Sequence, residues 1–122
     1  MEYTIPLRCM SKARPRVTRK GWTYMPRPYV KWKQDVAAIL RSQHVGPPLQ
    51  GNLSLTAHID LTPKGGRPPD LDNLIGAILD AANSILFHDD AQLSALHLSL
   101  DRRATTNTIH LSLIPTADNP EL

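Results

Sequence analysis

The sequence is poor in cysteine and lacks long apolar runs. Its single cysteine, Cys9, has no partner for an internal disulfide or a zinc site, so we expect a plain buried or half-buried thiol. No apolar run approaches the roughly 18 residues that cross a bilayer, and the N-terminus lacks the basic and then apolar layout of a signal peptide. These absences exclude a disulfide scaffold and a membrane protein, and they predict a cytoplasmic location.

The length and composition are those of one small globular domain. The chain has 122 residues, of which 41% are hydrophobic and 20% charged, which is ordinary for a folded protein. A chain of this length builds one core. We therefore predict a single domain over residues 1–122, with a polar tail from 115 to 122 that frays.

The two parts of the chain differ in the sign of their charge. Residues 1–41 hold ten basic and two acidic residues, a balance of +8, whereas residues 42–122 hold four basic and nine acidic residues, a balance of −5. Such asymmetry indicates a polyanion-binding front attached to a segment that gathers carboxylates. A basic surface that only keeps the protein soluble is the alternative.

Hydrophobic periodicity predicts two helices and four main strands. The predicted elements are a strand over 2–8, a long basic loop over 11–28 with a small ribbon near 17–24, a helix over 29–43, a strand over 52–61, a helix from 70 to about 84, and strands over 93–100 and 108–114. A turn over 102–107 would join the last two strands as a hairpin. The order β-loop-α-β-α-β-β predicts a small α+β domain in which a mixed sheet packs against two helices.

Two acidic clusters are candidates for metal chemistry. Asp70 and Asp72 open the second predicted helix, and Asp89 and Asp90 precede the next strand. Each cluster also has a structural explanation, since aspartates cap helices, favour the first helical turn and populate solvated turns. Carboxylate oxygens bind Mg²⁺ or Mn²⁺, and these ions assist phosphodiester hydrolysis, so a basic front beside the clusters favours metal-dependent action on nucleic acid.

The motifs around these clusters resemble a known family. The run RPPDLDNL at 67–74, AILDA at 77–81 and FHDDAQL at 87–93 is similar to the RusA family of Holliday junction resolvases, and SKARPRVT at 11–18 resembles the opening of its phage-type members. The similarity covers nearly the whole chain. It implies a homodimeric, Mg²⁺-dependent crossover junction endodeoxyribonuclease without a small-molecule cofactor, acting by paired symmetric nicks on branched DNA in recombination and repair. By position, its catalytic and metal-binding residues fall on Asp70, Asp72 and Asp90.

One position departs from the family pattern. The family carries a lysine one helical turn beyond the second aspartate, where it would neutralise transition-state charge, and this chain has Gly76. Either another cation takes over, with Lys64 and Arg67 nearest in sequence, or activity is reduced. The alternative function is therefore a catalytically weak or inactive junction-binding protein.

Basic and aromatic residues supply the candidate DNA contacts. We expect phosphate contacts from Lys12, Arg14, Arg16, Arg19, Lys20, Lys64 and Arg67. Trp22 and Tyr24 are candidates for stacking on unpaired bases, whereas the helical spacing of Tyr29 and Trp32 favours the core. His88 would be a ligand or base, or else a packing residue. The strand positions of His58, His97 and His110 favour structural roles.

Helix length raises a question about where Asp90 acts. Twelve steps from Asp72 to Ser84 carry the chain roughly 18 Å, and residues 85–90 reach back only if nearly straight, at most about 20 Å. In a two-fold dimer with antiparallel second helices, Asp90 would complete the partner's site. We favour this shared site over one confined to a single subunit.

Overall fold

The computed structural model describes residues 1–116 and shows two helices with a mixed sheet, confirming the predicted α+β class. The elements are β1 (Glu2–Ile5), β2 (Arg16–Val17), β3 (Thr23–Tyr24), α1 (Arg27–Gln43), β4 (Leu53–Asp60), α2 (Leu71–Ala82), β5 (Leu93–Asp101) and β6 (Thr108–Pro115). β2 and β3 form the predicted two-stranded ribbon inside the long basic loop. None of the helices within residues 1–116 is long and apolar enough to span a membrane.

The predicted hairpin between the last two strands is wrong. The four-stranded sheet has the order β1-β6-β4-β5, so β4 lies between β5 and β6. β4 runs parallel to β5 and antiparallel to β6, and β6 is antiparallel to β1 at the opposite edge. The segment after β5 therefore crosses the end of β4 before the chain enters β6.

The apolar content of the strands explains this order. Every second residue of β4 is fully buried, and β6 buries Ile109, Leu111 and Leu113, whereas β5 has no fully buried residue and takes an edge. The crossing spans about 10 Å, twice the usual strand spacing, which six residues bridge easily. The end of β4 fastens the crossing, because Leu61 donates its N–H to Asp101 and accepts one from Ala104.

Both helices contribute to one apolar core. α1 buries Tyr29, Trp32, Val36 and Leu40, and α2 buries its stripe of leucine, isoleucine and alanine. The rings of Tyr29 and Trp32 stack with their centroids 6.2 Å apart, which confirms the prediction that both belong to the core. Cys9 is also buried, as expected, and burial raises the pKa of its thiol to about 12.

The strand residues between the core positions of β4 are polar. His58 lies there, and its ring contacts Asp60 Oδ1 at 2.8 Å and the Ser99 hydroxyl at 2.6 Å. His110 approaches the same aspartate at 3.4 Å, and His97 pairs in register with Thr56 of β4. His58, His97 and His110 therefore lie in β4, β5 and β6, as their positions in the alternating patterns predicted.

Several element boundaries differ from the predictions for local reasons. β1 ends at Ile5 rather than residue 8, because Pro6 has no N–H for the ladder. α1 begins at Arg27, since the first helical turn tolerates Pro28. α2 ends at Ala82 rather than Ser84, whose φ of 69° is left-handed.

The first two residues of the tail predicted to fray, 115 and 116, are paired with the segment that leads into β4. Pro115 pairs with Leu53 as the last residue of β6, and the N–H of Thr116 donates to the carbonyl of Asn52. The prediction of fraying is wrong for these two residues. Its remainder, 117–122, lies outside the described residues.

Candidate active site

Asp70 and Asp72 stand at the start of α2. Asp70 occupies the N-cap position with extended backbone, but its side chain makes no capping hydrogen bond. Asp72 lies in the first turn, and both residues are exposed. The Asp70 side chain therefore does not cap α2, which removes the structural explanation for this residue. Both carboxylates are exposed to solvent at the N-terminal end of α2.

Asp72, Gly76 and Asp80 follow one another at four-residue spacing and so share one face of α2. Asp80 accepts a hydrogen bond of 2.7 Å from the hydroxyl of Tyr29 on α1. Burial, followed by this bond, raises the pKa of Tyr29, so the phenol acts as a neutral donor. Sequence reasoning did not single out Asp80, although its spacing from Asp72 carried the signal.

Lys12 covers the glycine on this face. Its backbone N–H donates to the carbonyl of Asn73 at 2.9 Å, and its amino group lies 3.4 Å from Asp80 Oδ1. A Cβ added to Gly76 would meet Lys12 Cδ at 3.2 Å, so the lysine side chain runs directly over the glycine. One of the two expectations for this position is that another cation takes over, with Lys64 and Arg67 nearest in sequence. The structure brings Lys12 to this position instead.

Asp89 and Asp90 lie at a short 3₁₀ turn over Asp90–Gln92. Asp89 caps this turn by accepting the N–H of Ala91, and that bond lowers the pKa of its carboxyl. The pKa of Asp90 is raised, first by the hydrogen bond that it shares with Asp89 and then by burial and neighbouring carboxylates. Asp89 is thus the structural member of the pair, and Asp90 is the one whose carboxylate is not used as a cap.

The turn is held to the rest of the fold by one side chain. The side-chain oxygen of Gln92 accepts hydrogen bonds from the backbone N–H groups of His88 and Asp89. Its side-chain NH₂ donates to the backbone carbonyls of Leu49 and Gly51, and all four distances are 2.8 to 3.1 Å. Because these four bonds join two loops far apart in sequence, Gln92 fixes where Asp90 stands.

Replacing Gln92 with alanine should loosen the turn that carries Asp90. Loss of four partly exposed hydrogen bonds should cost about 2 kcal/mol of unfolding free energy, measured by urea denaturation. Gln92→Glu is the comparison variant, because it keeps the acceptor for the two N–H groups, whereas its second carboxylate oxygen faces the carbonyls of Leu49 and Gly51 and can donate to neither. A Gln92→Ala protein as stable as the wild type would contradict this role.

The single chain does not gather all three aspartates. The N–H of Ser84, just after α2, donates to the carbonyl of Phe87, three residues before Asp90, so Asp90 follows closely on the C-terminal end of α2. The charges of Asp80 and Lys12 accordingly act on the pKa of Asp90. Asp72 precedes Asp80 by eight residues, about 12 Å of helix. Across residues 1–116, no group of three or more His, Cys, Asp or Glu side chains is arranged to hold a metal ion. Asp70 and Asp72 are neighbours, whereas Asp90 lies with a different part of the helix.

The basic loop is exposed on the ribbon side of the molecule. Arg14, Arg16, Arg19 and Lys20 are all exposed, as phosphate contacts require. The ribbon also presents Trp22 and Tyr24, which are 71% and 49% exposed. These large aromatic surfaces lie outside the core and are available for stacking.

Two adjoining clefts beside Asp70 are lined by cations. Lys64 and Arg67 contribute to them together with three arginines that sequence reasoning missed, namely Arg8, Arg102 and Arg103. Arg102 donates to the carbonyl of Pro69, immediately before Asp70, at 3.1 Å. The ion pairs found among residues 1–116 involve lysine or histidine and no arginine, so the positive charge of the clefts is not neutralised by a carboxylate contact. The order of the strands, not sequence proximity, brings these arginines together.

Exposed carboxylates at the start of α2, cationic clefts beside them and an exposed basic ribbon are the features of a protein suited to act on a polyanion. The chain belongs to the endodeoxyribonuclease RusA family, whose family model matches residues 6–113. The match spans both aspartate motifs and the basic loop, and it confirms the resemblance that the motifs indicated. The chain is therefore a member of a nuclease family. No curated protein matches it significantly.

Proposed function

We propose that the protein is a Mg²⁺-dependent endonuclease that resolves four-way DNA junctions by paired, symmetric nicks and acts as a homodimer. The observation that carries the proposal is the pair of exposed carboxylates, Asp70 and Asp72, at the start of α2 in a chain of the RusA endodeoxyribonuclease family. The proposed reaction would take part in DNA recombination and repair.

The donor set suits a hard divalent cation. Asp70, Asp72 and Asp90 would hold Mg²⁺, or Mn²⁺ in its place, through carboxylate oxygens, which are the ligands that these ions prefer. When bound, the ion stabilises the attacking and leaving oxygens of phosphodiester hydrolysis. Without it, three carboxylates would repel the phosphate. No small-molecule cofactor is needed for this chemistry.

The cationic residues would position the DNA. Five positive side chains line the clefts beside Asp70 and would meet the phosphates of a strand bound there, namely Arg8, Lys64, Arg67, Arg102 and Arg103. The ribbon would hold a neighbouring arm through Arg14, Arg16, Arg19 and Lys20. Trp22 and Tyr24 would stack on unpaired bases at the junction centre.

The two sites of a dimer would each draw on both subunits. Asp90 stands at the later half of α2 in its own chain, whereas Asp70 and Asp72 stand at its start. If two copies place their second helices antiparallel about a two-fold axis, Asp90 of one copy meets the paired aspartates of the other. Two such sites, related by the two-fold axis, would cut two strands at symmetric positions.

The proposal is tested with labelled four-way junctions and linear duplexes of matched sequence, incubated with and without Mg²⁺. We expect paired nicks in the junction, only with the metal, and little cleavage of the duplex. Salt-sensitive junction binding without nicks would favour the second candidate, a junction-binding protein that has lost cleavage, for which Gly76 is the supporting observation. Absence of both cleavage and binding would refute both functions.

Replacing both Arg14 and Arg16 with alanine should weaken junction binding. If both contact phosphates, the slope of log affinity against log salt concentration should flatten by about one to two units, because fewer counterions are released. Lys31→Ala is the control, since Lys31 already pairs with Asp35 at 2.7 Å on α1. An unchanged slope in the double variant would assign the two arginines to solubility alone.

A further inference from the structure

The face of α2 that carries Asp72, Gly76 and Asp80 is its acidic face. Lys12 is held on this face both by a backbone hydrogen bond and by its charge. Its N–H is bonded to the carbonyl of Asn73, next to Asp72, and from there its side chain passes Gly76 to reach Asp80. The lysine therefore runs along the helix, starting beside the first turn that carries the paired aspartates. A residue from the basic front of the sequence thus supplies a cation within the carboxylate segment.

Gly76 leaves room for the close passage of Lys12 along this face. A Cβ at this position would stand 3.2 Å from Lys12 Cδ, closer than ordinary van der Waals contact, so the lysine side chain would have to shift by a few tenths of an ångström. Glycine inside a helix costs about 1 kcal/mol relative to alanine. The close passage of Lys12 gives this unfavourable residue a physical reason.

The ion pair with Asp80 is too exposed to explain Lys12 by stability alone. The side chains of Lys12 and Asp80 are 49% and 24% exposed, and the two atoms are 3.4 Å apart. Solvent-exposed pairs of this kind contribute at most about 1 kcal/mol. The ammonium group is therefore held loosely by Asp80 and can be drawn to a stronger anion without a large loss.

We infer that Lys12, passing over Gly76, contacts the DNA phosphate at the acidic face of α2 and stabilises the negative charge that develops there during cleavage. This inference rests on the proposed nuclease function. Asp80, itself fixed by the Tyr29 hydroxyl, is the positioning residue that keeps the ammonium on this face until the phosphate arrives. The phosphate then replaces Asp80 as the partner of the ammonium.

The test moves the positive charge from residue 12 to residue 76. Lys12→Ala should lower the cleavage rate at saturating junction concentration on the order of 10²-fold, the effect of losing one electrostatic stabiliser. In the double variant Lys12→Ala/Gly76→Lys, alanine removes the Cδ that would clash, and the new lysine lies one turn beyond Asp72 on the same face. We expect the double variant to recover at least about tenfold of the lost rate.

A second measurement does not depend on cleavage. In Mg²⁺ and in the Asp72→Asn background, which we expect not to cleave and which lacks one repelling carboxylate, Lys12→Ala should flatten the salt dependence of junction binding by about one unit of slope. Adding Gly76→Lys should restore the slope. Gly76→Lys alone should give no large gain in rate, since Lys12 already occupies the site. Lys31→Ala controls for the loss of one positive charge elsewhere.

The outcomes separate this inference from the proposed function. Wild-type cleavage with an unimpaired Lys12→Ala variant would overturn the role of Lys12 and leave the nuclease intact. If Lys12→Ala is impaired, the double variant fails to recover and Asp80→Asn is equally impaired, Lys12 only fastens its segment to α2 and the inference is wrong. If the wild type does not cleave, the proposed function fails, and the salt dependence of junction binding alone decides whether Lys12 contacts phosphate.

Discussion

Replacing Asp72 with asparagine should abolish junction cleavage while leaving junction binding equal or tighter. The substitution removes one metal-binding carboxylate from the start of α2, and the loss should be on the order of 10³-fold or more, the upper range for a single preorganised electrostatic group. Binding should not weaken, because a negative charge that faces the phosphates is lost. Gel-shift titration in EDTA and nicking assays in Mg²⁺ measure the two quantities separately.

The same result is expected for Asp70→Asn. Its side chain makes no capping hydrogen bond, so the substitution should not destabilise α2 through a lost cap. Asp35→Asn on α1 is the matched control, because it removes the same charge from a residue that pairs with Lys31. Retained nicking in both the Asp70 and Asp72 variants would refute the proposed metal site.

A mixture of Asp70→Asn and Asp90→Asn subunits should recover cleavage that neither variant shows alone. If Asp90 completes the partner's site, each mixed dimer has one site with both defects and one intact site. Random pairing makes half of the dimers mixed, so roughly a quarter of the wild-type sites are restored, and each nicks one strand. The products are read as single nicks in a junction held in a plasmid.

The structure supplies the reason to expect recovery. Asp90 stands near Asp80 and Lys12, and Asp72 lies about 12 Å earlier along the helix. Mixed dimers are purified through a different tag on each subunit, so that every dimer assayed contains one subunit of each variant. If they nick no better than either parent variant, each site is confined to its own subunit.

Much of the fold followed from local patterns in the sequence. The alternation over 53–61 predicted β4, and the 3.6-residue stripe from Leu71 predicted α2 within two residues of its end. The aspartate motifs predicted the family that the comparison shows. These features depend on residues close together in the chain, whose spacing alone decides which face is apolar.

Two features were decided by contacts between distant parts of the chain. A short turn between β5 and β6 predicted a hairpin, yet β4 lies between them because its buried alternate residues need a central place in the sheet. The cation that covers Gly76 is 64 positions away in the sequence, whereas Lys64 and Arg67 are the nearest in sequence. Local spacing carries no information about such encounters.

The sequence by itself determined the strands and helices, the basic front and the aspartates that open α2, because periodicity and charge are properties of neighbouring residues. Only the tertiary structure decided that Lys12 passes over Gly76, that Tyr29 holds Asp80, and that three distant arginines line the clefts beside Asp70. Strand order and helix packing set those contacts, and both arise from burying the whole apolar surface at once.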